Sequence, residues 1–323
     1  MGLSQRLGDS FKLVRRCGIF VYASFKLAKR DRKSFYQACS TLITYTQRYP
    51  EVCEAYSRCV KTRVPRIANT TNLITYLGLI QPVRSPSLEI VRIGGVGDGG
   101  YCMLLPPLHE LDSGSQPIAL SLGVSSYAPW DLEMADRGYK VLEFDGSIAT
   151  SPYPNHPNIQ FSKLFVGVSD SKHTIALSRV LAESSLDPSA HNILQCDIEN
   201  AEWEILDTMC IDDLTPFSQL IFEFHGCDPD DEQGSAIRLR VLQKLREYFT
   251  PIHTHYNNIA GSTLGVIDDL AYPFCPSLEI SYLRNDLVPD DARLVYGLAS
   301  LEIDSPCSAN KPDIPVIFPP LSH

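Results

Sequence analysis

Asp197 and Glu199 close an apolar run, and Glu202, Trp203 and Glu204 follow at once, in the stretch NILQCDIENAEWEIL from Asn192 to Leu206. Acids at the carboxyl end of a strand lie where open α/β sheets bind ligands, and there they could orient a reacting group or accept a proton. The same acids could instead be the N-cap and first-turn anions of the following helix, which its dipole favours. A second run, QLIFEFHG, brings Glu223 and His225 to the end of another apolar segment. Histidine ordinarily titrates near neutrality, so His225 is the candidate base and Asp197 the candidate orienting group; a satisfied core or loop histidine is the alternative for His225. Side chains alternate along a strand, so Glu223 joins His225 only where the strand stays regular. Asp197, Glu199 and His225 are also donor types for a divalent metal, which this chemistry permits without requiring.

Such residues need a scaffold that gathers strand ends. Pro117–Leu122 predicts a strand and Gly123 a turn. A helix is predicted over Pro129–Arg137, with Pro129 in its first turn and Gly138 just past its end. Strands at Lys140–Asp145, Gln160–Val168, Asn192–Asp197 and Gln219–His225 then alternate with helices at Thr174–Ser184, Ala201–Met209 and Ala236–Tyr248. That alternation predicts an α/β fold, a mostly parallel Rossmann-like sheet with helices on both faces. Ile252–Asn257 and Leu278–Arg284 follow without a full helix between them, which suits an antiparallel edge. Upstream, Ser87–Gly94 and Gly100–Leu105 frame GGVGDGG as a glycine-bearing hairpin, with Asp98 as turn former or cofactor contact. The expected organisation is a basic helical segment over 1–85, the main domain over 86–285 and a surface tail over 286–323.

A doubly wound sheet binds its cofactor at the turn after the first strand and at the tip of the second. Those places hold SLGVSSY and LEFDGS. One glycine, Gly123, is too few for the pyrophosphate of NAD or FAD, and a phosphate-loop lysine is missing. A nucleoside without phosphates fits better: the N–H groups of Val124 and Ser125 could take a carboxylate, and Asp145 two ribose hydroxyls. S-adenosyl-L-methionine combines those groups. Asp145 could also be no more than a turn acid before Gly146. Ser169, just past the third predicted strand, completes the expected cofactor contacts.

NILQCDIENAEWEIL resembles the DIEGAEWE signature of FkbM-type S-adenosylmethionine-dependent methyltransferases. VRIGGVGDGGYCML resembles the RxG…DGGY element of one branch of that group, and QLIFEFHG, HYNN and LEISYLR follow in matching order. The resemblance covers about Glu89 to Arg284. It implies a class I methyltransferase fold, a seven-stranded sheet whose last strand is antiparallel, and methyl transfer to oxygen on a saccharide or other small molecule. Two residues depart from the pattern: Asn200 replaces the usual glycine, and Ser121 an acid common at the end of the first strand. Those departures support a second reading, a non-catalytic scaffold of the same fold.

Of 323 residues, 44% are hydrophobic and 20% charged, as in folded globular chains. The net charge of −10 argues against general nucleic-acid binding. Ten scattered cysteines without CxxC spacing point to a reducing, cytoplasmic setting, with Cys102, Cys196, Cys210 and Cys227 as small buried hydrophobes. Residues 1–34 run against the acidic average, with Lys and Arg well in excess of Asp9 and Asp31. Their apolar stretch Cys17–Phe25 is far shorter than the roughly 20 residues of a membrane span. Peripheral membrane contact, docking on an acidic protein and simple packing on the body all stay open for this segment. Gly2 lacks the Ser or Thr of a myristoylation motif, because Arg6 stands in that place. Nothing in the sequence specifies the acceptor or the oligomeric state.

Overall fold

The computed structural model describes residues 67–105, 115–268, 270–311 and 313–320. The basic arm over 1–34 and the rest of the expected helical segment through residue 66 lie outside them. We number the strands of the central sheet β1 (Ile118–Leu122), β2 (Lys140–Phe144), β3 (Ile159–Ser162), β4 (Asn192–Cys196), β5 (Phe217–Phe224), β6 (Phe249–Tyr256) and β7 (Leu278–Arg284). Their spatial order is β3-β2-β1-β4-β5-β7-β6. Strands β1 to β5 are mutually parallel where they pair, and β7 is antiparallel to both of its neighbours. The chain thus has the expected seven-stranded, mostly parallel Rossmann-like sheet, with its last strand antiparallel. Its antiparallel strand lies one place in from the edge, and β6 takes the edge itself.

Burial explains this arrangement. Leu120, Leu194, Leu220 and Phe222 face one core, while Ala119, Val141, Ile193 and Ile221 face the other. Strands covered on both faces read as continuous apolar runs, so β1, β4 and β5 are buried at every position. Helix α1 (Thr70–Ile80) starts at Asn69, whose side chain caps it, and α2 (Pro129–Asp136) covers the second core with Trp130 and Met134. Helix α3 (Leu177–Glu183) follows, and α4 (Ala201–Thr208) and α5 (Glu232–Arg246) cover the first core with Trp203, Leu206, Leu242 and Leu245. Each such side chain fully buried contributes about 1.5–3 kcal/mol. β6 runs through Pro251, earlier than its predicted start; an edge strand tolerates the missing N–H, and the register slips just there.

Three expectations need correction. The predicted strand Gln160–Val168 is two pieces, β3 and a short strand Phe165–Gly167 that pairs with Thr174–Ala176. That pairing takes the first turn of the predicted helix, which therefore begins at Leu177. Between β6 and β7 lies a hairpin, Thr263–Ile267 with Leu270–Phe274, that the sequence reading missed. The tail does not drape loosely. Asp304 and Asp313 are buried and meet His253 and His255 of β6 at 2.8 and 3.0 Å. Cys102, Cys196 and Cys227 are buried as expected, whereas Cys210 is exposed. Among the described residues no helix is long and apolar enough to cross a membrane.

Candidate functional site

β4 and β5 are parallel neighbours with Cys196 opposite Phe222, so their polar endings emerge side by side. Beyond β4 the chain passes through Glu199 (φ 56°) and Asn200 (φ 80°), both left-handed. That conformation costs a residue with a side chain roughly 1–2 kcal/mol, and asparagine tolerates it best after glycine. Asn200 therefore keeps the backbone geometry that glycine would have there. The kink aims α4 at the end of β5. Glu202 accepts a hydrogen bond from the His225 N–H at 3.1 Å, and the Trp203 indole donates to the His225 carbonyl at 2.7 Å. Trp203 also stacks on Phe224 at 4.5 Å. The ENAEWE segment thus fixes His225 from both sides. Asp197 and Glu199 do not cap α4: Asn200 holds the N-cap position, and the buried Asp197 Oδ1 has no hydrogen-bond partner among the described residues.

His225 faces four carboxylates. Its Nε2 lies 3.5 Å from Glu223, 3.6 Å from Glu199 and 3.8 Å from Asp197, and its Nδ1 lies 3.5 Å from Glu202. Glu223 therefore does share the histidine's face. Its Oε1 accepts from Asn257 at 2.6 Å and Ser277 at 3.2 Å. Asp98 and Glu279 approach Glu223 from the hairpin turn and from β7. Burial alone would lower the His225 pKa, but Glu202, Glu223 and Asp197 overcome it and raise it to about 11. Burial, then repulsion from Glu223, pushes Asp197 up to about 8 despite the His225 charge. Glu223 and Asp98 are raised too, chiefly by burial. The surrounding acids thus favour the imidazolium of His225, and burial favours the neutral acid at Asp197.

The ends of β1 and β2 lie beside this cluster. Gly123 adopts φ 84°, and a Cβ on it would stand 1.7 Å from the Asp197 carbonyl oxygen. Glycine is required because the β1 turn and the β4 exit pass in contact, joined by a 2.8 Å bond from the Asp197 N–H to Leu122. Asp145 Oδ2 accepts from the Val124 and Ser125 N–H groups at 3.0 and 2.9 Å, and Oδ1 accepts from the Ser147 N–H and hydroxyl, both at 2.6 Å. Burial works against this charge, but the bonds from Ser147, Ser125 and Val124 prevail and hold its pKa below the usual carboxylate range. The carboxylate and amides expected to meet a cofactor thus hold one another. The GGVGDGG turn packs on the start of α2, with Gly94 N–H bonded to Glu133 at 2.8 Å and Gly99 against Pro129. Asp98 accordingly sits between the β1 loop and the acids.

Ser169 stands exposed in a bend, because β3 ends at Ser162. His255, in the HYNN segment, is buried between Glu279 and Asp313, while Asn257 steadies Glu223. Ser121 is buried, bonded to Gln195 at 3.0 Å, and stands beside Glu143 of β2. Glu143 and Asp131 of α2 form a buried carboxyl pair, both raised chiefly by burial. The reading missed that pair, although a Glu inside the apolar run KVLEF was a visible signal. A cavity of about 440 Å³ opens elsewhere, near Leu142, Gln160 and Arg179.

No model of a known protein family matches the chain, and no curated protein matches it. Among solved structures, it is similar to a mutant 16S rRNA (adenine(1408)-N(1))-methyltransferase from Catenulisporales acidiphilia. The two share 10% identity over 63% of this chain and 99% of that one, with a TM-score of 0.25.

Proposed function

We propose that the protein is an S-adenosylmethionine-dependent methyltransferase of the FkbM type, acting on a hydroxyl of a saccharide or other small metabolite. The observation that carries the reading is the meeting, at the carboxyl ends of β1 and β4, of the Gly123 turn and Asp197 in a sheet of class I order. The chain's residues fit such a cofactor. At Gly123 the β1 turn carries no side chain and packs on the Asp197 backbone, Asp145 stands at the tip of β2 clamped to the Val124 and Ser125 amides, and Asp98 flanks the loop. When bound, the cofactor supplies a sulfonium methyl, whose S–C bond breaks as the new O–C bond forms. The acceptor's hydroxyl proton must leave in that step.

Asp197, raised by burial and by Glu223, is in its ionised form a stronger base than an ordinary carboxylate and stands where it could accept that proton. His225, raised to about 11, already carries its own, so the base role passes from His225 to Asp197. His225 then orients the Asp197 carboxylate and the acceptor, and Trp203 and Glu202 hold it in place. Asn200 lends little to the scaffold alternative, since its left-handed backbone serves the turn as glycine would.

Calorimetric titration with S-adenosylhomocysteine tests the reading, with saturable one-to-one binding as the expected result. A folded protein that binds none sinks it. Binding without turnover on any hydroxylated acceptor would assign the chain to the scaffold alternative.

A further inference from the structure

We propose that Asp197, Glu223 and His225 bind one divalent cation of the Mn²⁺ or Zn²⁺ kind beside the acceptor position. One oxygen of each acid and one imidazole nitrogen lie within 4.8 Å of one another. Nε2 stands 3.5 Å from Glu223 and 3.8 Å from Asp197, too far for good hydrogen bonds. Donors that share a cation at about 2.1 Å stand roughly 3–4 Å apart, which matches both distances to Nε2. Glu199 is the poorer third ligand, since its side chain is 83% exposed. Glu223 is buried and already oriented by Asn257 and Ser277.

A second observation comes from behind the ring. Glu202 is 1% exposed and lies 3.5 Å from His225 Nδ1, and its Oε2 has no hydrogen-bond partner among the described residues. Asp197 Oδ1, on the opposite side, is likewise buried without one. Nδ1 itself is buried without a hydrogen bond among the described residues, and Glu202 is the carboxylate placed to receive its proton when the other ring nitrogen is occupied, as behind metal-binding histidines. The other two His-containing clusters differ. His253 with Asp304, and His255 with Glu279 and Asp313, are closed by direct contacts of 2.8–3.0 Å. They are finished ion pairs and leave no gap for a cation.

The cation takes the place of the proton that the surrounding acids otherwise hold on His225, and one nitrogen and two carboxylate donors favour Mn²⁺ or Zn²⁺ over Ca²⁺, which prefers oxygen alone. The cation's task rests on the methyl-transfer reading; the binding itself does not. An acceptor with two adjacent hydroxyls could chelate it, and the cation would ease release of the hydroxyl proton to water, relieving Asp197 of that role.

The experiment is titration of the full chain with MnCl₂, followed by calorimetry and electron spin resonance, and the same protein is then titrated with S-adenosylhomocysteine. We expect one equivalent of Mn²⁺ with a nitrogen coupling from imidazole. Glu223→Gln should weaken binding more than tenfold, and Glu202→Gln about 10- to 100-fold. Folded wild-type protein that takes up no stoichiometric Mn²⁺ or Zn²⁺, or that shows no nitrogen coupling, overturns the proposal without any variant. Equal affinity in a folded Glu223→Gln protein does the same. S-adenosylhomocysteine binding without metal uptake removes the cation and spares the methyltransferase reading. Metal uptake without S-adenosylhomocysteine binding supports the cation and removes that reading.

Discussion

Replacing Asp145 by alanine separates two roles that its position allows. Four hydrogen bonds end on this carboxylate, two from the Val124 and Ser125 amides and two from Ser147. Ser125 and Ser147 are exposed, so water replaces Asp145 there at small cost. Val124 is 3% exposed, and its N–H would lose its acceptor. A buried donor left unmade costs about 1–3 kcal/mol, and relief from burying a charge returns part of it. A net loss of about 2 kcal/mol follows, or a melting temperature lower by about 4–8 °C for a domain of this size. The sign of the pH dependence is fixed by the depressed pKa. The wild-type advantage is complete above the unfolded value of about 3.9 and is lost as pH falls through the lower folded value. Melting curves at pH 7 and below pH 4, with hydrogen exchange at the Val124 and Ser125 amides, measure both effects. Unchanged melting and exchange, together with a tenfold or greater loss of S-adenosylhomocysteine affinity, would refute the loop-clamp argument and make Asp145 a direct cofactor ligand.

Other sites give sharper single outcomes. Gly123→Ala adds a Cβ 1.7 Å from the Asp197 carbonyl at φ 84°, so urea unfolding should show a loss of more than about 3 kcal/mol. Trp203→Phe keeps a ring to stack on Phe224 but removes the bond to the His225 carbonyl, and should cost about 1 kcal/mol in the same assay. Asp304→Asn breaks the buried pair with His253 and should cost about 3–5 kcal/mol near pH 6. His253 is raised to about 9 and Asp304 lowered to about 2, so the pair's contribution fades as pH rises through 9 and as it falls below about 4 toward 2. Glu143→Gln removes a carboxyl whose pKa burial raises, and calorimetry at pH 8 should find the variant equal to wild type or up to about 1 kcal/mol more stable. A loss of several kcal/mol instead would mean that the Glu143 charge is needed.

The order of strands and helices was legible because each element writes its burial into its own residues. ALSL, ILQC and LIFEF are mostly apolar and buried at every position, since both faces of these strands are covered. Gly123 and Gly138 marked left-handed turns for local steric reasons, and the endings of β4 and β5 showed where polar chemistry would collect. What local pattern could not carry was the choice of partner. Phe165–Gly167 left the third strand because Thr174–Ala176 offered it a closer one. Asp145 turned to the Val124 and Ser125 amides, and Asp304 crossed from the tail to His253. The titration of His225 likewise depends on acids delivered by β4, α4 and β5 together. Periodicity records which side of a segment is buried; charge state and hydrogen bonding depend on what lies opposite, and only the folded chain supplies that.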